Sequence, residues 1–116
     1  MAEIREVGYQ AIRDFIQGSW TYIELRDGAG TPVLRLDTGD ARVSYTHEVL
    51  SQTLELTVTL TGSDADVNLP QEFAQSALFS DGSSTNAYSI ETFTSFTMES
   101  ELDELTVKHQ IEVPEL

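Results

Sequence analysis

The chain has 116 residues, 40% apolar and 22% charged, a composition and length that fit one water-soluble globular domain spanning 1–116. It contains no cysteine, which excludes disulfides, thiol catalysis, iron–sulfur clusters and cysteine-ligated zinc. Its net charge of −14 is segregated: residues 1–42 hold seven acids and five arginines, residues 43–116 thirteen acids and one lysine. Such acidity repels nucleic-acid phosphates and anionic lipid surfaces. It suits plain solubility or a salt-rich host cytoplasm. It equally suits a basic partner, a bound cation, or a surface past which nucleic acid slides without sticking. Met1–Glu6 lacks the basic-then-apolar order of a signal peptide, and no apolar run approaches the ~20 residues that span a bilayer. A cytoplasmic protein, or one assembled from cytoplasmic pools, is expected.

Glu3–Gln17 predicts an amphipathic helix, with 1–18 as the helical segment and 19–116 as a β-domain. Ile4, Val7, Ala11, Ile12, Phe15 and Ile16 recur with a 3.6-residue period. Glu3 and Glu6 fall in the first turn, where they favour the positive end of the helix dipole, and Gly18 is a stop signal. Such a helix either closes one side or end of the β-domain or docks on a neighbouring subunit. In the second case Ile4, Val7, Ile12, Phe15 and Ile16 form the interface.

Trp20–Arg26 and Val33–Asp37 predict a hairpin around the turn Asp27–Pro32. Ile23 and Leu25 take one face of its first strand and Trp20, Tyr22 and Glu24 the other; the pattern leaves open which face is inside. After a turn at Thr38–Asp40, Arg42–Thr46 starts a third strand, and His47–Gln52 either continues it or forms a loop. Thr53–Thr61 is a clean alternation: Leu54, Leu56, Val58 and Leu60 on one face, threonines and Glu55 on the other. Gly62–Asn68 is a polar loop. Pro70 fits the first position of a short helix to about Leu78, although the stretch also reads as an irregular edge strand. Ser80–Asn86 is a turn or mobile loop.

Ala87–Glu99 predicts a strand with Ile90, Thr92, Thr94, Phe96 and Met98 on one face. Phe93 then opposes Phe96, and a bulge or bend between them follows. Ser100–Asp103 is an acidic turn. Glu104–Val113 alternates as cleanly as Thr53–Thr61, and Pro114 ends it. Short alternating strands with regular turns predict a mainly β fold, an antiparallel β-sandwich or small β-barrel with an N-terminal amphipathic α-helix.

No residue pattern carries chemistry. His109 falls on the apolar face of the last strand, as a buried, hydrogen-bonded imidazole, and His47 is expected at the surface. Asp64 and Asp66 alternate like the start of a calcium loop, but the glycine and glutamate that complete an EF-hand are missing, so the pair offers an improvised cation site at most. Gly28-Ala29-Gly30 lies in a hairpin turn with no helix after it, which fails as a phosphate loop. Trp20 and Tyr22, with Tyr45, Tyr88, Phe93 and Phe96, offer either core aromatics or a sugar-stacking platform. No cofactor and no metal ion are expected.

Trp20–Asp37, Glu91–Glu99 and Asp103–Pro114 together resemble small virion proteins of tailed bacteriophages, over about half the chain. The resemblance implies a non-enzymatic, multi-copy structural part of a phage particle: a head decoration, head–tail neck or tail accessory subunit. Its partners would be copies of itself, as a homo-oligomer, and other virion proteins, without direct nucleic-acid binding or membrane contact. Its place would be the virion, assembled in the host cytoplasm. A carbohydrate-binding β-sandwich module and a small carboxylate-dependent hydrolase are the rival readings.

Overall fold

The computed structural model describes residues 1–48 and 51–114. One helix, α1 (Glu6–Ser19), precedes seven strands: β1 (Tyr22–Arg26), β2 (Pro32–Asp37), β3 (Val43–Thr46), β4 (Thr53–Thr61), β5 (Gln71–Phe79), β6 (Ser89–Met98) and β7 (Glu104–Glu112). The strands form two antiparallel sheets, ordered β2-β1-β5-β6 and β3-β4-β7. Of the two predicted architectures, the sandwich is the observed one; the sheets do not close into a barrel. The part of His47–Gln52 at residues 49–50 lies outside the described residues.

The two cleanest alternating segments are neighbours. β4 and β7 pair from Thr53↔Glu112 to Thr61↔Glu104. Leu54, Leu56, Val58 and Leu60 are fully buried, and Val107 and His109 join them from β7. Ile23, Leu25 and Leu78 of the four-stranded sheet face the same core, which resolves the ambiguous hairpin in favour of Ile23 and Leu25.

β5 corrects the expectation of a helix from Pro70 to Leu78 or an irregular edge strand. It is an interior strand between β1 and β6. Both its faces are covered: Phe73, Ser76 and Leu78 are buried, and so are Ala74, Ala77 and Phe79. A strand buried on both sides loses its alternation, and apolar residues at 73, 74, 77 and 78 then imitate a helical period. The second cover is polar. Glu24 is buried on that face and accepts hydrogen bonds from Arg26 at 2.7 Å and Arg35 at 2.9 Å. Arg35 lies 3.6 Å over the Phe79 ring and donates to the carbonyls of Asp81 and Ser84, which fastens the 80–86 loop across the sheet.

β6 carries the expected bulge. Phe73 opposes Phe96 and Gln75 opposes Thr92, so Phe93–Ser95 hold the excess residues. The bulge lets Phe93 and Phe96 both pack on the core. It also breaks the predicted face: Ile90 is exposed whereas Met98 is buried.

The helix begins at Glu6, so Glu3 precedes its first turn, and it runs through Gly18 to Ser19, where the Trp20 N–H closes it on the Ile16 carbonyl at 2.8 Å. Trp20 lies ahead of β1 rather than in it. The molecule measures 53 × 25 × 25 Å.

Candidate functional site

The helix docks through its polar side. Arg13 is fully buried and donates to the Val113 carbonyl and to the Glu6 carboxylate, with Gln10 Oε1 at 3.3 Å. Gln17 Oε1 lies 3.3 Å from His47 Nδ1. The His47 side chain is only 3% exposed, which corrects its expected surface position: it is the β-domain's wall under the end of α1. Ile16 is also buried, so it leaves the predicted interface set; one residue of helix turns it about 100° from Phe15 and onto the docked side.

The other four members of that set face solvent. Ile4, Val7, Ile12 and Phe15 are 53%, 80%, 38% and 66% exposed. They share one stripe with Ala11, which is exposed too. An amphipathic helix normally buries its apolar stripe and solvates the rest. Here the arrangement is reversed, because Arg13 and Gln17 find specific partners on the sandwich while the stripe finds none. The sequence offered no sign of this, since Arg13 and His47 meet only through the fold.

A second apolar feature lies on the seam between the edge strands β6 and β7, which belong to different sheets. Near α1 the seam is laced by the hydrogen bond between Ser89 Oγ and His109 Nε2, at 2.8 Å, and by the Gln110 N–H donating to Glu91 at 3.2 Å. Farther along, beside the β6 bulge, lies a groove of about 480 Å³. Its lining is Phe93–Phe96 from β6 and Leu105–Lys108 from β7. Phe93, Phe96 and Leu105 are half-buried, Val107 is buried, and Lys108 is exposed at the rim. All five arginines have a carboxylate partner within the chain, whereas Lys108 has none among the described residues.

Asp64 and Asp66 meet a cation that the chain itself supplies. The Arg42 guanidinium bonds Asp66 at 2.8 and 2.9 Å, Asp40 at 3.0 Å and Asp64 at 3.3 Å. Arg42 holds the Asp40 carboxyl down at about 2 and lowers Asp66 as well. Burial pushes Asp64 up, but hydrogen bonds from Thr61 and Arg42 outweigh it and leave it below the usual range. No group of three or more His, Asp or Glu among the described residues is arranged to hold a metal ion. The acidic turn is likewise tied down: Asp103 accepts the N–H groups of Glu99 and Ser100, which lower its carboxyl.

His109 is buried, as its place on the strand predicted. Ser76 Oγ sits 2.7 Å from Nδ1 and Ser89 Oγ 2.8 Å from Nε2, and burial pushes the imidazole down to about 4. Ser76 and His109 are fully buried, so this cluster bridges the two sheets in the core. Trp20 packs on the core and Tyr88 leans on it, with ring centroids 5.3 Å apart and planes at 33°. Of the proposed sugar platform, Trp20 is thus partly covered from both sides.

No helix among the described residues is long and apolar enough to cross a membrane. Comparison with protein-family models, with curated proteins and with solved structures gave no significant match.

Proposed function

We propose that this protein is a non-enzymatic structural subunit that works in multiple copies, with α1 as its assembly element. The observation that carries this reading is the reversed helix: Arg13 and Gln17 dock on the sandwich while Ile4, Val7, Ile12 and Phe15 stand in solvent. Exposing that stripe in an isolated subunit costs the hydrophobic stabilisation a partner surface would return, roughly 25 cal/mol per Å² covered. The particle is named from the resemblance of Trp20–Asp37, Glu91–Glu99 and Asp103–Pro114 to tailed-phage virion proteins: a head decoration, neck or tail accessory subunit, assembled in the host cytoplasm.

The rival readings have less support. A sugar platform needs flat, accessible rings, and Trp20 is occupied by the core and by Tyr88. A carboxylate hydrolase needs two acids across a pocket, and the β6–β7 groove is lined by none. The test is the oligomeric state of the full chain by sedimentation velocity, alongside Val7→Glu/Phe15→Glu. Both positions are exposed, so the variant keeps its β-sheet circular dichroism. The wild type is expected to assemble and the variant to be monomeric. A wild type that stays monomeric at high concentration, or a variant that assembles equally well, overturns the reading.

A further inference from the structure

We propose that α1 of one copy seats its Ile4–Val7–Ile12–Phe15 stripe on the β6–β7 groove of a second copy, head to tail, an inference that rests on the assembly reading above. Three observations carry it.

The first is placement. Arg13 pins α1 at Val113, just past the end of β7, whereas the groove flanks Leu105–Lys108. Five to eight strand residues separate them, on the order of 15–25 Å. The helix therefore sits at one end of the seam and the groove toward the other, out of reach of the helix's own stripe. A contact between two different surfaces of the same chain is heterologous, and it propagates into rings or filaments rather than stopping at a pair.

The second is shape. The four stripe residues expose on the order of 500 Å² together, short of the ~800 Å² per partner of a standard stable interface, and two such convex stripes have no cleft to offer each other. The groove is a concave surface lined by the half-buried rings of Phe93 and Phe96 and by the Leu105 side chain. A helix about 10 Å across does not enter a cleft of this size, but its side chains do.

The third is charge. Lys108 is the chain's single lysine, and unlike the five arginines it has no carboxylate partner among the described residues. It stands on the rim of the groove. Asp14, adjacent to Phe15, and Glu3, adjacent to Ile4, are exposed carboxylates beside the stripe. Head-to-tail docking brings acids of one copy to the unpaired cation of the next, in a protein whose remaining surface repels its own kind.

The experiment uses two full-chain variants that each spoil one half of the contact at exposed positions: Val7→Glu/Phe15→Glu on the helix and Thr106→Glu/Lys108→Glu at the groove. Sedimentation velocity is run on each alone and on an equimolar mixture, after circular dichroism has shown both folded. Each variant alone is expected to be monomeric. The mixture is expected to form a 1:1 dimer that grows no further, because one intact stripe and one intact groove remain between the two chains. A groove variant that assembles like wild type, while the helix variant does not, overturns the head-to-tail contact and leaves helix-mediated assembly standing. Two monomeric variants that fail to pair overturn it as well. Loss of assembly in neither variant, or no assembly of wild type, removes both readings.

Discussion

Protonating His109 should destabilise this protein as pH falls from about 6.5 toward 4. The imidazole is wholly enclosed between the sheets, with a serine hydroxyl on each nitrogen. The neutral ring suits that pair, one nitrogen donating and the other accepting. A charged ring loses its hydration and gains no anion there, so burial drives its pKa from 6.5 to about 4. The unfolded chain takes up the proton first. Stability is therefore full above about pH 6.5, declines as pH falls toward 4, and has no further dependence on this group below that. The shift is worth about 3 kcal/mol at 1.36 kcal/mol per pH unit, a large part of the usual 5–15 kcal/mol of a small domain.

Urea unfolding followed by the single tryptophan, Trp20, measures this at pH 7.5, 6, 5 and 4. His109→Gln is the control, since glutamine offers an amide to the serines and does not titrate. Every other ionisable group is common to both proteins, so the difference between their curves isolates His109. The wild type should lose about 3 kcal/mol more than the variant between pH 7.5 and 4. Parallel curves, or an NMR titration of His109 near 6.5, would refute the reasoning.

Two glycines should respond to alanine with opposite signs. At Gly62 a Cβ meets the Ser100 carbonyl oxygen at 1.9 Å, a backbone atom, so Gly62→Ala should lower the urea midpoint by an equivalent of ~1–3 kcal/mol. At Gly18, inside α1, a Cβ meets nothing within 4 Å, and Gly18→Ala should stabilise by up to ~1 kcal/mol. A stabilising Gly62→Ala or a destabilising Gly18→Ala would sink the corresponding account. Arg42→Ala should return the Asp40 carboxyl from about 2 toward 3.8, as read by carboxyl-carbon NMR. With Arg42 present, Asp40 contributes stability above pH 3.8 that is lost as pH falls through about 2; the variant should lack that dependence. An Asp40 titration unmoved by the substitution would show that Arg42 is not its cause.

The sequence revealed what local periodicity encodes. β4 and β7 were legible because each has one wet and one dry face, and their shared pattern reflects a shared core. The bulge in β6 was legible because two phenylalanines of opposite parity must both be buried. β5 was not, because the 80–86 loop and Arg35 cover its second face, and that cover comes from residues distant in the chain. The helix was legible as a helix but not in its orientation. Its apolar stripe predicted packing on the β-domain or on a neighbouring subunit, and the Arg13–Val113 contact shows that the side of the helix facing the sandwich is the polar one. Asp64 and Asp66 offered an improvised cation site at most, and the cation beside them is Arg42, brought there by the β3–β4 hairpin.

The proposed self-assembly of a chain of net charge −14 has to overcome the repulsion between copies. Every arginine has a carboxylate partner in its own chain. The stripe on α1 carries no charge of its own, and the groove's eight lining residues include one cation and no acid. Within the proposed assembly these two surfaces set no acid of one copy directly on an acid of the next, and the acids that flank them are screened over a Debye length of only about 8 Å at physiological salt.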